Sequence, residues 1–149
     1  MPEPGLRERA LRHLARREHT QAELARKLSG HGSPEEIAAV LLRMSELGLL
    51  SDVRYAEAWV RSKAARYGSA RLRSELGRRG LSRELVDAAL SSECVESEFE
   101  RARSVWSGKF GARPTDAREW ARQARFLQTR GFAVDVIRKL LKECPDESA

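Results

Sequence analysis

The chain has 149 residues, 41% hydrophobic and 34% charged, with a formal net charge of +6 from 28 Lys and Arg against 22 Asp and Glu. That balance is too apolar for a disordered chain and too charged for a membrane protein, and no apolar run approaches the roughly 20 residues that span a bilayer. The opening MPEPGLRERA lacks the continuous apolar stretch of a secretory signal, so a cytoplasmic protein is expected.

The first third reads as three helices, at 6–17, 20–29 and 34–47. Thr20 with Glu23, and Ser33 with Glu36, have the Ser/Thr-x-x-Glu spacing in which side chain and backbone cap each other at a helix start; Pro34 suits the first helical position. The middle third repeats the pattern at 52–66, 69–79 and 82–91. The last third repeats it at 96–110, 116–129 and 133–143, with Asp116 and Glu119 as the equivalent start.

Alignment of Gly32, Gly80 and Gly131 exposes the repeat. Each glycine follows a leucine by four residues (Leu28, Leu76, Leu127) and precedes an acid by four (Glu36, Glu84, Asp135). Apolar residues then recur at +5, +6, +9 and +10, the buried stripe of an amphipathic helix. The fold expected is all-α: three tandem three-helix repeats, at 1–50, 51–91 and 92–149, in an elongated or curved array. The aligned glycines are expected at turns that need a positive φ. Trp59, Trp106, Trp120, Phe126 and Phe132 lie at helical spacing with apolar neighbours and are expected in the core.

Little here points to catalysis. His13, His19 and His31 sit in the first third without metal-site spacing, and neither a phosphate-binding glycine loop nor a nucleophile elbow is present. Cys94 and Cys144 are expected to remain thiols in the cytoplasm. The expectation is a protein that is not an enzyme and holds no metal or cofactor.

Charge is distributed unevenly. Residues 51–90 carry nine Lys and Arg against five acids, while the flanking thirds are close to balance. Arg71 and Arg78 share a face beside Arg79; Arg54 and Arg61 share another, followed by Lys63 and Arg66. Most of these arginines, Arg73 among them, lack a carboxylate at helical spacing, which suggests a face turned toward an anionic partner.

Residues 50–90 resemble the centre of the RecX regulatory proteins, modulators of the recombinase RecA. The resemblance rests on Asp52, the Arg54-Tyr55-Ala56 run, Trp59-Val60-Arg61, Tyr67-Gly68, Arg71, Glu75-Leu76 and Gly80. The stretches 10–28 and 127–141 look like that family's first and last units. Val53 stands where an acid is common, and Ser69 where proline often follows Tyr-Gly; Ser69 is expected to cap the next helix. The resemblance implies a monomer that binds the RecA filament on single-stranded DNA, with DNA itself as a second contact. It would inhibit the recombinase, ATPase and SOS coprotease activities. The residues expected to meet the partner are Arg54, Arg61, Lys63, Arg66 and Tyr67, then Arg71, Arg73, Arg78, Arg79 and Arg83. The alternative is an independent helical protein that binds DNA or RNA through the same arginines.

Overall fold

A computed structural model describes residues 4–142, and every regular element among them is a helix. Cys144, and the last residue of the helix expected at 133–143, lie outside the described residues. The helices fall in three groups: α1 (Leu6–Arg16), α2 (Gln21–Leu28) and α3 (Pro34–Glu46); α4 (Asp52–Lys63), α5 (Ser69–Arg78) and α6 (Arg83–Glu93); α7 (Glu98–Lys109), α8 (Ala117–Thr129) and α9 (Val134–Lys142). The fold is therefore the expected tandem of three-helix repeats.

The helix starts follow from local chemistry. Thr20 and Ser33 each form the reciprocal capping box, with Glu23 and Glu36, and Pro34 opens α3. Asp116 accepts from the Glu119 amide at 2.8 Å. Ser69 differs from expectation: Gly68 occupies the cap position without a side-chain bond, and Ser69 is buried inside the first turn.

Each repeat closes its own core. Leu24, Leu28 and Met44 are buried in the first; Val60, Leu72, Leu76 and Val86 in the second; Leu127, Ile137 and Leu141 in the third. Burying each large apolar side chain contributes about 2 kcal/mol, so helices of 8–13 residues, marginal alone, hold one another in place. Trp59, Trp106 and Phe126 pack half-buried against these cores, and Phe132 is buried. Trp120 departs from expectation: near the start of α8, it is 37% exposed and stands outside the apolar cluster of the third repeat.

The glycine alignment is also corrected. Gly80 and Gly131 adopt φ of 88° and 95°, as expected, but in the first repeat the left-handed turn is Gly30, at 89°, not Gly32. Helix α2 ends at Leu28, two residues sooner than its counterparts, and the stripe of α3 shifts with it. Ile37, Val40, Leu41 and Met44 face the core, while Ala38 and Leu42 are exposed.

The repeats join through a recurring contact. At the first seam the Thr20 hydroxyl donates to the Arg79 carbonyl at 2.7 Å; at the second the Gly68 amide donates to the Arg130 carbonyl at 2.8 Å. In each case the start of one middle helix meets the carbonyl-rich turn before the left-handed glycine of the next repeat. Positive helix start and negative helix end are thus brought together, a favourable arrangement.

Candidate interaction surface on the second and third repeats

The expected arginines separate into groups by their contacts. Arg54 is a seam residue: its guanidinium grips Glu18 through two bonds, at 2.7 and 3.0 Å, and donates to the Gly48 carbonyl. That hydrogen bond holds the Glu18 carboxyl below its ordinary pKa and raises that of Arg54. Arg79 is likewise built in. It lies 4.1 Å from the Trp59 ring centre, donates to the Glu75 carbonyl and reaches Glu23 at 3.9 Å.

Three others meet carboxylates of α6, a neighbouring helix for Arg61 and Arg73 and its own helix for Arg83. Arg61 pairs with Glu93 at 2.9 Å and Arg73 with Asp87 at 2.8 Å; Arg83 lies 3.9 Å from the same Asp87. The expectation that most of these cations lack partners is therefore corrected: helical spacing cannot register a carboxylate that another helix supplies. Arg71 pairs with Glu75, which also accepts from the Trp59 indole at 3.1 Å. Lys63 sits over Trp59 at 4.8 Å.

What remains concentrates around Tyr67. Arg71 lies 4.1 Å from its ring centre, Arg66 5.5 Å and Arg130 5.5 Å. The negative face of the ring holds the three cations together. Arg66 and Arg130 have no ion pair among the described residues, and Arg78, further along α5, is exposed without one. The expected residues thus do not form a single patch. Arg66, Tyr67 and Arg71 come together, Arg78 stands apart on the same helix, and Arg54 and Arg79 belong to the first seam.

Two residues that the sequence did not single out complete the surface. Arg130 reaches it from the third repeat and also donates to the Arg66 carbonyl at 3.3 Å. Arg101, 6% exposed, lies beneath it: its guanidinium donates to the carbonyls of Ala64 and Tyr67 and to the Ser69 hydroxyl. It satisfies the carbonyl of Ala64, the cap of α4, and that of Tyr67, in the turn before α5, where helical amides are lacking. A signal for Arg101 was present, since it sits four residues before Val105 and beside Ala102, in the register of a buried stripe. No such signal marks Arg130, whose partners on this surface, Arg66 and Tyr67, belong to another repeat.

Among the described residues no group of three or more His, Cys, Asp or Glu could hold a metal ion, and no helix is long and apolar enough to cross a membrane.

Comparison with known proteins agrees with this architecture. The chain matches family models described as the first, second and third three-helix domains of RecX, over residues 7–44, 51–90 and 96–141. It is 48% identical over 142 residues to the regulatory protein RecX of Leptothrix cholodnii, covering 95% of this chain and 90% of that one. It is 46% identical to the regulatory protein RecX of Ectopseudomonas mendocina, covering 95% and 96%. The crystal structure of RecX from Lactobacillus salivarius shares the fold, with a TM-score of 0.79 at 20% identity over 93% of each chain.

Proposed function

The chain belongs to the RecX family, and on that premise we propose that it binds RecA nucleoprotein filaments and inhibits their recombinase, ATPase and coprotease activities. The observation that carries this reading is the cationic cluster at the second seam. Arg66, Arg71 and Arg130 crowd one tyrosine with a single carboxylate, Glu75, in direct contact. A filament presents the same surface at every protomer, so a chain of three similar repeats can sum weak contacts along it. The reading places the protein in the cytoplasm, acting as a monomer and without a catalytic role of its own.

The test is ATP hydrolysis by preformed RecA filaments on single-stranded DNA while this protein is titrated in below one copy per RecA. Falling hydrolysis supports the reading. Unchanged hydrolysis, with retardation of bare DNA, moves the conclusion to an independent nucleic-acid binder.

A further inference from the structure

A groove of about 510 Å³ runs along the first repeat, between α1 and the turn that joins α3 to α4. Leu11, Leu14, Ala15 and Leu49 line it, with Arg17, Glu18 and Arg54 as its polar lining, and it shares no residue with the Tyr67 cluster. Of the eight large apolar side chains that stand exposed among the described residues, five fall in this part of the chain: Leu11, Leu42, Leu47, Leu49 and Val53. None of the five belongs to the core of the first or the second repeat, so the fold does not account for them. Exposed apolar surface concentrated in one place marks an interaction site.

The charge beside the groove is one-sided. Helix α1 and the residue after it carry five arginines, Arg7, Arg9, Arg12, Arg16 and Arg17, against one acid, Glu8. Glu8 is taken by Arg12 at 2.9 Å, and the nearby Glu18 and Glu23 by Arg54 and Arg17. Arg7 and Arg16 are exposed and carry no ion pair among the described residues. Arg7, Leu11 and Ala15 follow one another at four-residue spacing, a row about 12 Å long on one helix face. Arg12 and Arg16 adjoin Leu11 and Ala15 in sequence, so cations border the apolar strip.

We infer that this groove is the docking site for a short acidic amphipathic helix of a protein partner. The partner's apolar side chains, one helical turn apart, enter between Leu11 and Leu49, and its carboxylates meet Arg7, Arg12 and Arg16. A phosphodiester backbone does not fit, because its charges would be pressed against leucines. A bilayer does not fit either: an interfacial helix offers a protruding apolar face, whereas Leu11 and Leu14 line a recess. Arg54 belongs to α4, so the occupant touches both repeats at the first seam.

The test uses the whole chain and the anisotropy of a fluorescent peptide of about four helical turns, with leucines at i, i+3 and i+4 spacing and glutamates elsewhere. A scrambled peptide of the same composition, with no shared leucine face, is the control and is expected not to bind. Ala15→Trp, which fills the groove, and Leu11→Ser with Leu49→Ser, which strips it, are each expected to weaken binding at least roughly tenfold. Both should leave helical circular dichroism unchanged. Arg7→Gln with Arg16→Gln is expected to weaken binding roughly threefold at low salt. Arg118→Gln with Arg125→Gln makes the same change of charge at exposed positions of the third repeat and should leave binding unaltered. A chain that ignores the first peptide, or binds the scrambled one equally well, overturns the inference. So does an Ala15→Trp variant that binds as the unaltered chain does, or an equal loss from the two arginine pairs. Tighter binding to vesicles of phosphatidylcholine and phosphatidylglycerol than to the peptide would also overturn it, in favour of a membrane. The RecA reading is separate: a chain that inhibits filaments but ignores the peptide sinks this inference alone, and one that binds the peptide but leaves filaments untouched sinks only that reading.

Discussion

The two seams solve one problem by different means. The first joins its repeats through side chains: the Thr20 hydroxyl on the Arg79 carbonyl, the Asp52 carboxylate on the Gln21 amide at 2.8 Å, and the Glu18–Arg54 pair. The second uses backbone and buried charge. The amides of Gly68 and Ala70 bond the carbonyls of Arg130 and Gly131, and a β-carbon on Gly68 would stand 2.3 Å from the Gly131 oxygen. Arg101 locks the joint from inside, with neutral oxygens in place of a carboxylate. Surface ion pairs and single hydroxyls can be broken one at a time, whereas a buried cation and touching backbones fail together. The second and third repeats should thus behave as one rigid unit to which the first is more loosely attached.

The largest expected effect tests that lock. Arg101→Met fills the same space but strands the Ala64 and Tyr67 carbonyls, and should cost about 3 kcal/mol in urea unfolding. A change within error of zero would show that the second seam does not depend on this guanidinium.

A smaller effect should appear with pH in the first repeat. His19 is buried; its Nδ1 donates to the Arg17 carbonyl and its Nε2 accepts from Lys27 at 3.0 Å. Burial first, and then the charges of Arg17 and Lys27, hold its pKa below the ordinary 6.5. The unfolded chain therefore takes up the proton first as pH falls. The stabilisation is complete above 6.5 and declines as pH drops from there through the lower folded value. Hydrogen exchange should show protection in α1 and α2 falling below pH 6.5, with α8 and α9 unaffected. Equal loss in all three repeats would contradict the assignment to His19.

Smallest of all, Glu18→Gln removes the exposed pair of the first seam and should cost under about 1 kcal/mol, with the difference vanishing at high salt. A larger, salt-insensitive loss would mean that this pair, rather than Thr20 and Asp52, holds the joint.

Much of this architecture could be read from the sequence because its causes are local. Thr20 with Glu23 and Ser33 with Glu36 announce their helix starts, and Leu72 and Leu76 announce the buried face of α5. The first repeat is the exception, because Gly32 matches the alignment while Gly30, two positions earlier, makes the turn. The surface was only half legible. Tyr67, Arg66 and Arg71 are close in sequence, but the carboxylates that engage Arg54, Arg61 and Arg73 come from the α1–α2 connection and from α6. Arg101 and Arg130 reach the seam from another repeat altogether. Charge at helical spacing reports one helix, and a surface built from several is decided by tertiary packing.

The central claim, that the cations of the second repeat meet the RecA filament, is tested most directly by charge reversal where the fold does not depend on the residue. Arg71 is unsuitable, because its guanidinium pairs with Glu75 and lies over the Tyr67 ring within the fold. Arg66 and Arg78 are exposed and have no ion pair among the described residues. The measurement is inhibition of RecA filament ATP hydrolysis by the Arg66→Glu, Arg78→Glu double variant, with helical circular dichroism checked alongside. The account predicts unchanged helicity and at least a roughly tenfold higher concentration for half-inhibition, equivalent to about 1.4 kcal/mol of binding. Inhibition at the concentration that suffices for the unaltered chain would contradict it.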